Sequence, residues 1–462
     1  MSSLAEDRYF DPDPGVRRLA RALYEETRGL PIISPHGHVD PRILAEDTPF
    51  PEPAALLVQP DHYVLRLLYA HGLRFEDLGI PRRDGAPVES DPCKVWQRFA
   101  DHYYLFDGTP TGAWLNYELH EVFAIAEPLS GDTAPRIYDE IREKLGSPEF
   151  RPRALFERFN IEVLATTDAA TDALDQHRAI RESGWTRRVI PTFRPDTLFR
   201  ITAPEWPAAV DRLGVRDYSG FIEALAERRT YFKAMGATAT DHAVVAPYTA
   251  ALRPETADRL FRLALDGKAA ADDERRLTAH LLMEMARLSL EDGLVMQIHA
   301  GALRDHNRLV FDRFGRDRGA DIPVATEFTR NLRPLLNAYG NDTRFTLVVF
   351  TLDESTYSRE LAPLAGHYPA LRLGPPWWFH DSLEGMRRFR ERTTETAGIY
   401  KMAGFNDDTR AFCSIPARHD LARRLDANYL AGLVARHVIA EHDARRIARA
   451  LAYDLAKQTY RL

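Results

Sequence analysis

The stretch LPIISPHGHVDP, residues 30–41, carries the reading of the fold. A short apolar run with β-branched isoleucines at 32 and 33 gives way at once to polar residues. This is the pattern of a strand buried on both faces that ends in a loop. His36 and His38 stand two apart, and on extended backbone positions i and i+2 face the same way. Two imidazoles on one face can hold one divalent cation, with a carboxylate from elsewhere completing an open site. The plainer reading is two polar residues in a loop after Pro35, and the pair alone does not decide between them.

Working outward, seven further runs repeat the pattern: IEVLATTD (161–168), RVIPTFR (188–194), GATATDH (236–242), LVMQIHAG (294–301), FTLVVFTLD (345–353), ALRLGPPWW (370–378) and KMAGFNDD (401–408). GATATDH, the fourth of the eight, is richer in alanine and threonine than in branched residues. Between the runs lie helical patterns, such as LTAHLLMEMARLSLEDG (277–293), with a glycine where a helix stops. Eightfold strand–helix alternation predicts an α/β fold, a (β/α)8 TIM-like barrel of parallel strands. The alternative, an open doubly wound sheet that binds nucleotides, lacks its glycine-rich phosphate loop after the first strand. Residues 39–160 are too long for one crossover and read as mostly helical, as in WQRFADHYYLF and PRIYDEIREKLG. The expected division is therefore a catalytic barrel from 1–38 and 161–462, with closing C-terminal helices, and a helical insertion over 39–160 at the barrel mouth. No fixed-period repeat or low-complexity tract interrupts this.

Composition agrees and excludes several classes. Hydrophobic residues at 45% and charged residues at 28% fit an ordinary globular protein of 462 residues. The net charge of −7 and the absence of a basic stripe argue against nucleic-acid binding. An anionic substrate would need local arginines. Two cysteines, Cys93 and Cys413, make no disulfide framework and fit a reducing compartment. The N-terminus is polar and acidic, and no window approaches a membrane span, so a cytoplasmic protein is expected.

In such a barrel the chemistry gathers at the carboxyl ends of the strands. Those ends carry His36 and His38, then Asp168, Arg194, Asp241-His242, His299 with Arg304 beyond it, Asp353-Glu354, Trp377-Trp378, and Asp407-Asp408 with Arg410. The first and eighth strands are neighbours when a barrel closes, so an aspartate of the eighth can meet the histidines of the first. Spacing does not choose between Asp407 and Asp408, one of which can be a helix cap. Arg194 is either a surface ion pair or a clamp on a substrate carboxylate. The paired tryptophans are either packing or the floor under a sugar ring. His299 is equally a metal ligand, a proton shuttle or a satisfied core histidine.

SPHGHVDP resembles the metal-binding segment that opens the amidohydrolase superfamily. AEDTPF (45–50), PDHYVLRLL (60–68), FNIEVLATTD (159–168), IPTFRPD (190–196), TDHA (240–243), QIHAGALRDHN (297–307), GPPWWFHD (374–381) and FNDDTRAFCSIPARHD (405–420) are similar to the uronate isomerases, in the family's order and over nearly the whole chain. The resemblance implies a metal held by His36, His38 and Asp408, the aspartate lying two residues before Arg410. It also implies catalytic roles for Asp408, Tyr63, His299 and Arg410, and substrate contacts from Arg194, His62, Arg304, Trp377, Trp378 and Asp241. It further implies an aldose–ketose isomerase that takes D-glucuronate to D-fructuronate, D-galacturonate to D-tagaturonate, or both, by proton transfer from C2 to C1 through a cis-enediol. One divalent metal is expected, zinc first, with manganese or cobalt as alternatives; the fourth run has no lysine to bridge a second ion. The expected partner is a small uronic acid, and the expected assembly a homo-oligomer.

The sequence departs from the family where Ala169-Ala170 follow Asp168, where Asp305-His306-Asn307 follow Arg304, and at Asp407. These positions bear on pocket shape and sugar preference. Two rival readings remain at this level. One is a metal-dependent hydrolase of the same superfamily, acting on a lactone or amide and needing no clamp for a remote carboxylate. The other is a sugar-acid-binding protein without activity, against which the intact set of polar residues counts.

Overall fold

The structure, a computed structural model, describes residues 4–462. Seven parallel strands build the barrel wall: β1 (Ile32–Ser34), β2 (Ile161–Ala165), β3 (Arg188–Ile190), β4 (Ala239–Val244), β5 (Val295–Ala300), β6 (Leu347–Thr351) and β7 (Leu371–Leu373). β2 and β3 resume as Asp168–Ala169 and Phe193–Arg194, and Phe193 joins Thr240 of β4. The interruption in β3 falls at Pro191, which has no N–H to give a ladder. Registers such as Ile33↔Val163, Asp241↔Gln297 and His299↔Phe350 place neighbouring strands in order around the wall.

The eighth stave is reduced to one bridge, Leu373↔Met402, with Ala403 N–H donating to the Leu373 carbonyl at 2.8 Å. Its cause is Gly404, at φ +87°, outside the strand region. Closure onto the β1 side is made further along, where His38 N–H donates to the Thr409 carbonyl at 2.9 Å. The seventh run likewise stops as a strand at Leu373, so Trp377 and Trp378 stand in the following loop rather than at a strand end.

Both faces of the wall are buried, which is why the strands read as continuous apolar runs. Ile32, Leu164 and Val189 face helices, while Ile33, Val163, Ala165 and Ile190 face the other way, onto Ala456. Val295, Val348, Phe350 and Ala403 share the inner cluster with Tyr460. The helical turns Ala450–Asp454 and Leu455–Tyr460 therefore close the barrel floor. Tyr460 Oη donates to Gln297 Oε1 at 2.8 Å, and Gln297 is fully buried. Tyr460→Phe keeps the packing and leaves that amide oxygen without its donor, a loss of about 1–3 kcal/mol. Urea unfolding should show a lower midpoint with an unchanged slope; an unchanged midpoint would mean that this hydrogen bond adds nothing net.

Residues 39–160 carry helices and no strand, around an apolar cluster that includes Trp96, Phe99, Phe123 and Phe156 and is shared with Ile32, Leu164 and Val189 of the barrel wall. Among them His62–Ala70 begins with Asp61, whose carboxylate accepts from Tyr63 N–H at 2.8 Å. This cap sets His62 and Tyr63 in the helix's first turn. Helix Pro14–Thr27 packs along Ser414–Ala435, tied by Tyr24 and Arg8 to Asp420. No helix among the described residues is long and apolar enough to cross a membrane.

Candidate active site

Strand alternation decides which polar residues meet. On β5, Val295, Gln297 and His299 share one face; on β4, Asp241 joins them, and His242 turns outward to stack on Phe199. His299 lies between Phe350, 4.0 Å away ring to ring, and His36, 4.6 Å away. Its Nδ1 is 2.6 Å from Asp241 Oδ1. With that N–H given to a carboxylate, Nε2 keeps its lone pair, and Nε2 is buried without a partner.

Asp408 comes in from the eighth stave. Its Oδ1 lies 3.3 Å from His36 Nε2 and 3.1 Å from His38 Nε2, so of the two adjacent aspartates it is Asp408 that faces the histidines. Asp407 turns back, with Oδ2 on His419 Nε2 at 3.1 Å. Asp408 holds φ +43°, and Trp378 and Phe379 also have positive φ, so strained backbone gathers at this mouth. Burial opposes the Asp408 charge, but His36 and His38 more than offset it and hold the carboxyl well below its ordinary range. Burial pushes His38 down to about 4 and His62 to about 3, so both are neutral near pH 7.

His36, His299 and Asp408 each bring one donor atom, all within 4.8 Å of one another, a group able to hold a metal ion. His299 Nε2 is a buried atom with no hydrogen-bond partner, which fits a cation it would share with Asp408. His38 reaches the same carboxylate oxygen but stands outside that tight group.

One pocket opens beside these groups. His38, Asp408 and Arg410 line it together with His62, Tyr63, Arg304, Asp317, Trp377 and Trp378. Arg304 lies over the Trp378 ring at 5.5 Å and pairs with Asp321. Asp241 and Arg194 sit behind this lining. Asp241 is 1% exposed, with one oxygen on His299 and the other 3.3 Å from Arg194 Nη1. Arg194 Nε also pairs with Asp196 at 2.7 Å, although 24% of its side chain remains exposed. Geometry thus makes Asp241 the support of His299 and Arg194.

Three residues that spacing did not single out belong here. Asp317 lines the pocket and pairs with Arg410 at 3.0 Å. Asp381 accepts from Tyr63 Oη at 2.7 Å, and Arg418 donates to Asp381 at 2.9 Å. Asp317 lies in the excursion between Leu303 and Ile322, where no periodicity marks it. Asp381 and Arg418 sit within stretches quoted above for their resemblance, with nothing in their spacing to tie either to Tyr63.

Comparison with known proteins follows the same lines. Residues 15–460 match the family described as glucuronate isomerase. The uronate isomerase of Nostoc punctiforme is 54% identical, over 99% of this chain and 98% of that one. The glucuronate isomerase of Caulobacter crescentus superposes with a TM-score of 0.97 at 48% identity, covering 99% of this chain and 97% of the other. The uronate isomerase of Thermotoga maritima gives 0.92 at 28% identity over the whole of both chains.

Proposed function

Since this chain belongs to the glucuronate isomerase family and is an aldose–ketose isomerase of uronic acids, we propose that Asp408 moves the substrate's C2 proton to C1. The substrates in this reading are the acyclic forms of two sugars: D-glucuronate, giving D-fructuronate, and D-galacturonate, giving D-tagaturonate. The observation that carries it is the Asp408 carboxylate, held ionised between His36 and His38 at the edge of a pocket lined by arginines and tryptophans.

A proton next to an aldehyde is weakly acidic, and its removal needs a placed base and stabilised enediol oxygens. Asp408 takes the proton from C2, exchanges it with solvent in the enediol state and delivers a proton to C1 on the same face, which a cis-enediol allows. Tyr63 and His299 move the hydroxyl proton from O2 to O1. Arg410 offsets the charge that develops on the oxygens. Arg194, fixed by Asp196 and Asp241, and Arg304, on the face of Trp378, hold the remote carboxylate, and that binding steadies the reacting end. Trp377, Trp378 and His62 shape the walls around the carbon skeleton. A divalent cation held by His36, His38 or His299, and Asp408 would supply Lewis-acid polarisation of the substrate oxygens; imidazole and carboxylate donors favour zinc, with manganese or cobalt as substitutes. The free thiols Cys93 and Cys413 support a cytoplasmic setting, and a homo-oligomer completes the reading.

The test is NMR of each uronate in D₂O with the purified protein. Ketose carrying deuterium at C1 is the expected result. Ketose without deuterium points to a hydride shift or a shielded proton and removes Asp408 as an exchanging base. No ketose from either sugar, with zinc and manganese both supplied, overturns the substrate assignment.

A further inference from the structure

Asp381 is absent from the pocket lining, only 7% exposed, and belongs to none of the metal-binding candidates. Its Oδ2 nevertheless accepts from the hydroxyl of Tyr63, which does line the pocket. The same oxygen accepts from Arg418 Nη1. Arg418 is itself immobilised: its guanidinium lies 3.6 Å from the centre of the Trp114 ring, Nη1 also reaches the Asp407 carbonyl at 3.2 Å, and Nε reaches Ser414 Oγ at 3.3 Å. Trp114 in turn meets Tyr63 edge-on at 5.3 Å. Four buried side chains thus fix one phenol.

The direction of the Tyr63 hydrogen bond has a chemical consequence. A carboxylate paired with an arginine only accepts, so the phenol hydrogen points away from the pocket and the phenol lone pairs point into it. Resting on the isomerase reading above, we propose that Tyr63 and Asp381 form a proton relay for the substrate hydroxyl. Tyr63 Oη accepts the proton leaving O2 as its own hydrogen passes to Asp381 Oδ2, and the reverse transfers deliver a proton to O1. The substrate's O2–H bond breaks and its O1–H bond forms; Tyr63 and Asp381 end as they began, and no electrons leave the system. Asp408 handles the carbon-bound proton and Asp381 stores the oxygen-bound one. Asp381 acts through Tyr63 and is a positioning residue; burial raises its carboxyl above the ordinary range, and Arg418 opposes that rise. Asp381 Oδ1, buried with no partner, leaves the carboxyl a second site for the stored proton.

The experiment is a double-mutant cycle in the full-length, metal-loaded protein, with Asp381→Asn, Tyr63→Phe and both together. Asparagine keeps the shape and can still accept from Tyr63, but it cannot store a proton. The expected result is a fall in kcat of about 10²-fold for Asp381→Asn, within the usual range for a proton-transferring group, with KM changed less than about threefold. The pair should be no slower than Tyr63→Phe alone, because the relay fails as a unit. Asp381→Glu should recover part of the loss. Two results overturn the relay: kcat for Asp381→Asn within threefold of wild type, or losses that multiply in the pair. If the wild-type protein makes no ketose, the isomerase reading itself has failed, an outcome distinct from either.

Discussion

Asp408→Asn should lower kcat/KM for D-glucuronate by about 10²–10⁴-fold, the contribution of a placed general base. Asparagine is the informative replacement because it matches aspartate in size and tolerates positive φ as well as aspartate does, so the +43° backbone survives. What is lost is the charge between His36 and His38, 3.3 and 3.1 Å away. The same change removes one of three clustered donors, so metal content after dialysis should fall as well. Adding excess zinc then separates the two effects: saturating metal restores the ion but not the base, and the deficit in kcat remains. Full recovery with metal would reassign Asp408 to ligation alone. Activity within threefold of wild type, with or without added zinc, would remove it from the chemistry.

Gly404→Ala should damage the fold severely for so small a change, at about 2–5 kcal/mol. Positive φ costs a residue with a Cβ about 1–2 kcal/mol, and overpacking a tight site costs about 1–3 more. A Cβ here would stand 2.6 Å from Ala456 N and 2.9 Å from its Cα, both backbone atoms on the barrel floor that cannot swing aside. Urea unfolding followed by circular dichroism measures the loss, and a shift below about 1 kcal/mol would show that the floor yields. Gly404 is four residues from Asp408 on the same stave, so turnover should fall along with stability.

The staves were legible because burial on both faces writes them as apolar runs with polar ends. IEVLATTD and LVMQIHAG are plain examples, and the structure starts strands at Ile161 and Val295. KMAGFNDD was legible as a position but not as a ladder: a glycine at positive φ lets the backbone pass beneath Ala456 and leaves a single bridge. The choice of Asp408 over Asp407 came from resemblance, since adjacent residues on an irregular stave have no periodicity to separate them. Asp241 could have been separated from His242 by parity along β4, which points one inward and the other toward Phe199. The pairings Tyr63–Asp381 and Arg410–Asp317 join residues 318 and 93 positions apart, and no local spacing encodes such contacts.

The floor also sets a timetable. Ala456 packs on Ile33 and Val163, the first of them more than 400 residues earlier in the sequence. At about 5–20 residues per second, a ribosome that has just made β1 needs roughly 20–80 s to reach its partner on the floor. Through that interval the inner faces of β1, β2 and β3 have no lid, and pairings this distant are slow to form even afterwards. The nascent barrel therefore exposes apolar surface throughout its own synthesis, and slower growth at low temperature should raise the share of molecules that reach the native state.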